Sequence, residues 1–203
     1  MAVLKRKRGI SKLEFYNNAR ELRRDLTAYL LRNFGIKQKS NKNIQIPIPA
    51  QETQTTTLLD DEGAILGEFP EWTISEFRRN IMQILRNLMM NITAGNSIYP
   101  SPMVDPKTPD VQKMPEAYVN RVQSDELADR RRYQTAAIVN CQQLIQELQY
   151  FMDVFSLRYD TFTIDVRKFI PFIEKIEFEI RLLKGWRKST NELAKKIIRG
   201  ENN

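Results

Sequence analysis

The side chains with chemistry to offer in this 203-residue sequence are arginines, lysines and carboxylates; histidine is absent and cysteine occurs once, as Cys141. Without imidazole the chain lacks the commonest general acid/base, the commonest metal ligand and every Ser-His or Cys-His nucleophile pair. One thiolate and no imidazole do not make a zinc site. Paired carboxylates could still hold magnesium or drive hydrolysis, but no DxD run and no glycine-rich phosphate loop accompanies them. The residues therefore point away from an enzyme, and no catalytic residue, metal or cofactor is expected.

What remains is cationic. Lys5-Arg6-Lys7-Arg8 opens the chain and Lys12 follows. Such a run binds any polyanion by releasing counterions, or is simply a solvated tail. Arg20 and Arg24 stand one helical turn apart and line one strip with Arg23, unless Glu21 and Asp25 pair with them. Arg130-Arg131-Arg132 fans over more than half of a helix, so Arg131 falls on the core side. A buried, unpaired guanidinium is very costly, and cations at a helix start oppose its dipole. Arg131 thus needs a carboxylate from another helix, or a seam mouth facing solvent, a subunit or a ligand. The fourth cluster, Lys184-Gly185-Trp186-Arg187-Lys188-Ser189, sets one indole among three cations. That composition can stack a base while holding phosphates; the same tryptophan could instead fold over a bundle end.

The elements that must position these clusters are helices. Phe15, Ala19, Leu22, Leu26, Tyr29 and Phe34 repeat at helical spacing and predict a helix over 11–34, opened by a Ser11/Glu14 capping box and stopped by Gly35. Ile74, Phe77, Ile81, Leu85, Leu88 and Ile92 predict a second over 73–94, with Thr73 and Glu76 as its box and Gly95-Asn96 as its end. A third, over 124–155, carries Leu127, Arg131, Gln134, Ile138, Cys141, Ile145, Leu148, Met152 and Phe155 at bundle-seam spacing. A fourth, over 165–184, carries Val166, Phe169, Ile173, Ile176, Ile180 and Leu183, with Pro171 starting or kinking it. A short tail helix, capped by Ser189 and Glu192, is expected within the basic tail 185–203. The proline-bearing stretches 36–70 and 97–123 read as long irregular insertions, the first with a short hairpin as the alternative. The fold class that follows is all-α: one domain over 1–203, an up-and-down four-helix bundle with two insertions. The third and fourth helices are antiparallel neighbours across a short connection. Arg130–Arg132, Lys184–Lys188 and the N-terminal cations then share one pole of the bundle.

The charge balance supports a polyanion partner. Residues 1–42 carry 12 Lys/Arg against 3 Asp/Glu and residues 181–203 carry 7 against 2, leaving −7 for the middle of a chain whose net charge is +7. Basic ends on an acidic body present cationic surface to RNA, DNA or an acidic protein. No apolar run is long enough to span a membrane, and the first residues are too basic for a secretory signal. The lone cysteine fits a reducing compartment, so a cytoplasmic protein is expected.

Three stretches carry a family resemblance. Glu14-Phe15-Tyr16-Asn17-Asn18-Ala19-Arg20-Glu21-Leu22 resembles the opening helix of the four-helix-bundle proteins encoded by intervening sequences of bacterial 23S rRNA genes. Those proteins are similar in turn to the accessory variability proteins (Avd) of diversity-generating retroelements. Arg131-Arg132-Tyr133-Gln134-Thr135-Ala136-Ala137-Ile138 and Leu182-Leu183-Lys184-Gly185-Trp186-Arg187-Lys188-Ser189 resemble stretches of proteins encoded beside such reverse transcriptases. The resemblance spans the helices and leaves both insertions without a counterpart. It implies a non-catalytic accessory, a ring-shaped homo-oligomer such as a pentamer, that binds a reverse transcriptase and the template RNA it copies. On that reading the nucleic-acid-binding residues are Arg6, Arg8, Lys12, Arg20, Arg24, Arg130, Arg131, Arg132, Lys184, Trp186, Arg187 and Lys188. The reading from another class is a helical adaptor whose basic ends bind an acidic protein; a carboxylate-only hydrolase is a third.

Overall fold

The computed structural model of the chain describes residues 13–32, 34, 37–38, 58–59, 65–66, 71–98, 115–156 and 162–199. Four helices dominate: α1 (Glu14–Leu30), α2 (Glu71–Ser97), α3 (Glu116–Ser156) and α4 (Ile170–Ile198). Their apolar residues recur every three or four positions, and one stripe of each is buried. Phe15, Ala19, Leu22, Leu26 and Leu30 line α1; Ile74, Ile81, Leu85, Leu88 and Ile92 line α2. Burying these stripes against one another is what stabilises helices whose intrinsic propensity alone is marginal.

Pairs of contacting side chains give the direction of every neighbour. Asn80 meets Glu147 and Asn91 meets Asn140, so α2 and α3 run antiparallel. Phe151 packs on Phe169 while Gln134 reaches Thr190, so α3 and α4 do as well. Phe15 stacks on Trp186 and Tyr29 on Phe172, which sets α4 against α1. Helix α1 also packs on α2, closing the ring of four. The arrangement is the expected all-α bundle with alternating helix directions.

At one end the core is aromatic: Phe34 stacks on Phe151 with centroids 3.9 Å apart, and Phe77, Phe155 and Phe169 surround the pair. Phe34 has a φ of 55°, a left-handed conformation costing an ordinary residue about 1–3 kcal/mol. Its full burial holds it there. Four two-residue strands pair antiparallel: β1 (Lys37–Gln38) with β4 (Phe162–Thr163), and β2 (Leu58–Leu59) with β3 (Ile65–Leu66). The stretch expected to be irregular, 36–70, therefore contains a small antiparallel ladder.

Several boundaries differ from expectation, each for a local reason. The N-cap of α1 is Leu13, without a side-chain cap, and Ser11 of the expected capping box lies outside the described residues. Thr73 lies inside α2, and Glu76 pairs forward with Arg79. Helix α2 runs through Gly95, and α3 starts at Glu116, inside the expected insertion 97–123. The largest correction concerns α4. A 3-10 turn, Val166–Lys168, precedes it, Pro171 sits in its first turn, and it continues unbroken through Gly185 to Ile198. No separate tail helix capped by Ser189 exists. Leu193 and Ile197 prolong the apolar stripe and pack with Ala194 on Leu127 of α3, which offsets the roughly 1 kcal/mol that a glycine costs in a helix interior. Helices α3 and α4 thus extend beyond the start of α1 as a two-helix arm.

Candidate nucleic-acid interface

Trp186 sits where the four-helix section gives way to this arm, and it is only 9% exposed. Its indole stacks on Phe15 of α1 with centroids 4.5 Å apart and planes 16° apart. The guanidinium of Arg130, on α3, lies 5.5 Å from the ring centroid. Gly95 of α2 backs it: a Cβ there would come 3.0 Å from Trp186 Cη2 and 3.1 Å from Tyr133 Cβ. Gly95 is therefore tolerated in mid-helix for close approach rather than as a stop. One tryptophan touches all four helices, and it has no open ring face for a base. The expected exposed indole is corrected to a core plug, because a continuous α4 puts Trp186 in phase with Leu183 and Ile197.

A buried polar layer adjoins the plug. Gln134, fully buried, donates through Nε2 to Thr190 Oγ1 at 2.8 Å, and Thr190 is itself buried. Two turns before Trp186 on α4's buried face, Glu179 is also fully buried; Asn18 Nδ2 donates to its Oε2 at 2.7 Å, while Oε1 has no hydrogen-bond partner among the described residues. Burial pushes this carboxyl up to about 8; the Asn18 bond opposes the shift and nearby Glu14 adds to it. Burial likewise raises the Cys141 thiol, and Glu179 adds to that. Lys175 clamps α4 to α1 by reaching Glu21 at 3.3 Å and Asp25 at 3.0 Å. Burial alone would raise Asp25, but hydrogen bonds from Arg24 and Lys175 outweigh it and hold the carboxyl below its ordinary range.

The expected pole is partly assembled. Antiparallel packing does bring Arg130 beside Trp186, and Arg187 Nη1 donates to Thr135 Oγ1 of α3 at 3.4 Å. It lies along the flank of α3 and α4 rather than at a bundle end, because both helices continue past it. Arg130 is engaged over the indole, Arg132 pairs with Asp129 at 3.5 Å, and Arg24 pairs with Asp25 at 2.9 Å. These three are corrected from free contacts to engaged ones. Arg20 is exposed on α1, away from the α4 flank. Arg131 is half-exposed with no ion pair among the described residues, which matches the seam-mouth alternative. Arg6, Arg8 and Lys12 lie outside the described residues.

The sequence reading stopped too early on α4. From Arg181 to Arg199 that helix carries seven Lys/Arg and one acid, Glu192. Arg181, Lys184, Lys188, Lys195 and Arg199 recur at three-, four- and seven-residue intervals, so they share one outward face about 27 Å long. All five are exposed, as is Lys196. Only Lys195 uses Glu192, at 3.6 Å, a surface pair of little energetic weight. Arg181, Lys184, Lys188 and Lys196 form no ion pair among the described residues. Lys195, Lys196 and Arg199 were missed because the basic tail was read as separate from the helix; a three-to-four spacing continued through Gly185 would have joined them to Arg181, Lys184 and Lys188. Among the described residues, no cluster of three or more Cys, Asp or Glu could hold a metal, and no helix is long and apolar enough to cross a membrane. No protein-family model, curated protein or solved structure matches the chain.

Proposed function

We propose that this chain is a non-catalytic accessory protein that holds structured RNA along the outer face of α4 and serves a reverse transcriptase of a diversity-generating retroelement. The observation that carries the RNA part is the set of exposed cations Arg181, Lys184, Lys188 and Lys196, which form no ion pair among the described residues, with Arg131 at the adjoining α3 seam. Phosphates are the ligand such a row fits, since each contact releases a condensed counterion. With Trp186 buried, the contact reads the backbone and not stacked bases. The reverse-transcriptase part, and the self-association that goes with it, rests on the resemblance at 14–22, 131–138 and 182–189.

Fluorescence anisotropy with a labelled RNA hairpin tests it. Four phosphate contacts predict roughly a hundredfold loss of affinity between about 50 and 200 mM salt. Lys184→Glu with Lys188→Glu should weaken binding and flatten that slope by about two contacts. RNA affinity that stays flat with salt, together with a nuclease-resistant complex with a co-purified protein, would favour the adaptor reading. Co-purification with the product of a neighbouring reverse-transcriptase gene tests the second part.

A further inference from the structure

The acids of α1 turn toward α4, and two of its arginines are left on the other flank. Lys175 of α4 collects Glu21 and Asp25, and Glu14 lies close enough to the buried Glu179 of α4 to raise that carboxyl. The opposite flank of α1 packs on α2, where Thr27 Oγ1 donates to Met82 Sδ at 3.3 Å. Phe15 and Gly95 both meet Trp186, while Phe34 and Phe77 both meet Phe151, so α1 and α2 run antiparallel. One turn back from Thr27 is Arg23, and one turn on from Met82 is Arg86. Antiparallel packing brings these two level, and Arg20 follows on the same flank of α1 about 4.5 Å further along. Arg20 and Arg86 are exposed and Arg23 is half-buried; none of the three forms an ion pair among the described residues. Helix α2 brings no carboxylate to them: from Phe77 to Ser97 it holds three arginines and no Asp or Glu.

This seam lies across the bundle from the α4 row. In the ring of four, α1 and α2 make one side and α3 and α4 the other. Arg187, within the basic stretch of α4, reaches Thr135 of α3, so that stretch leans toward α3 and away from α1. Two helix layers separate the faces, roughly 20 Å, more than twice the screening length of about 8 Å at physiological salt. The two sets of cations therefore act independently. A stiff duplex lying along α4 cannot also reach the seam, so a ligand there is a second segment. All three seam cations are arginines, whose planar fork takes phosphate oxygens two at a time. We infer that the α1–α2 seam, through Arg20, Arg23 and Arg86, is a second phosphate-binding face, so that one copy of the chain bridges two RNA segments. The inference rests on the RNA reading of α4 and adds an activity to it. Two segments held on one small bundle are each at a raised effective concentration for the other, which favours their pairing.

Equilibrium dialysis of a short labelled RNA hairpin against the full chain, at about 50 mM salt, counts hairpins bound per chain however the chains associate. Two should bind: one along α4, and a second with a dissociation constant of about 1–100 μM, the range of contacts that read only the backbone. Three phosphate contacts predict roughly a fortyfold loss at the second site between about 50 and 200 mM salt. Arg20→Glu with Arg86→Glu should lower the count to one, leave the first dissociation constant within about twofold, and keep the far-ultraviolet circular dichroism of the parent. The triple variant Arg20→Gln, Arg23→Gln, Arg86→Gln repeats the test without an introduced charge. Lys184→Glu with Lys188→Glu should weaken the first site and spare the second. One hairpin per chain in the parent, or two in both seam variants, overturns the inference while the RNA reading of α4 stands. A parent that binds no hairpin overturns both. A seam that takes polyglutamate in place of the second hairpin is a dock for an acidic protein segment, and that result also overturns the inference.

Discussion

Replacing Trp186 by alanine separates a core role from a binding role. The ring is 9% exposed, stacks on Phe15 and lies under Arg130. Truncating a buried tryptophan typically costs about 3–5 kcal/mol, and its aromatic partner contributes about 0.5–1.5 kcal/mol of the interaction. For a domain of this size about 4 kcal/mol corresponds to a fall in Tm of roughly 8–16 °C. Thermal and urea melts followed at 222 nm measure it, with RNA anisotropy on the fraction that remains folded. Affinity per folded molecule should change by less than about twofold, since no ring face is open to a base. Gly95→Ala completes a double-mutant cycle. Alone, its Cβ crowds Trp186 Cη2 at 3.0 Å and Tyr133 Cβ at 3.1 Å. Overpacking of about 1–3 kcal/mol is then offset by about 1 kcal/mol of helix propensity. In the Trp186→Ala background the nearest of those atoms is gone, so the two substitutions should couple by more than about 0.5 kcal/mol. A Tm unmoved by Trp186→Ala, alongside a tenfold loss of RNA affinity, would refute the plug.

Other consequences are as direct. Glu179 has a folded pKa raised to about 8 from an ordinary 4.5, so the folded state binds the extra proton and stability should fall as pH rises between those values. Glu179→Gln keeps an acceptor for Asn18 and should abolish that decline, giving a variant more stable than the parent at pH 8 in urea melts; parallel pH profiles would refute the buried acid. Ile176→Asp puts a charge at a fully buried position of α4 and should cost several kcal/mol, seen as lost cooperative melting; an unchanged melt would mean the register of α4 is wrong. Lys175→Met removes the clamp on Glu21 and Asp25. Its effect should stay near about 1 kcal/mol, because the partners are partly solvated.

Much of this fold was legible without coordinates. The seam residues Leu127, Gln134, Ile138, Cys141 and Leu148 recur at bundle spacing and are all buried, because a helix places i, i+3 and i+4 on one face whatever it packs against. The all-α class follows from such periodicity, and the antiparallel order of α3 and α4 from their short connection. Local punctuation misled where two signals of similar size competed. Gly95 and Gly185 each carry a propensity cost of only about 1 kcal/mol, and tertiary contacts outweighed it in both. At Gly95 the missing Cβ admits Trp186; at Gly185 the stripe continues to Ile197 against Leu127. Once α4 is continuous, Glu179, Leu183, Trp186, Thr190 and Ile197 share one buried face, and the indole's fate reverses.

The candidate site divides the same way. Composition alone determined that this chain has no imidazole chemistry and that its two ends carry its positive charge. Which cations remain available was decided only in three dimensions. A guanidinium's partner is set by distance: Arg24 finds Asp25, Arg132 finds Asp129 and Arg130 finds the indole, while Lys184 and Lys188 find no carboxylate among the described residues. Periodicity determines which face of a helix is buried; which faces then meet is a property of the packed whole.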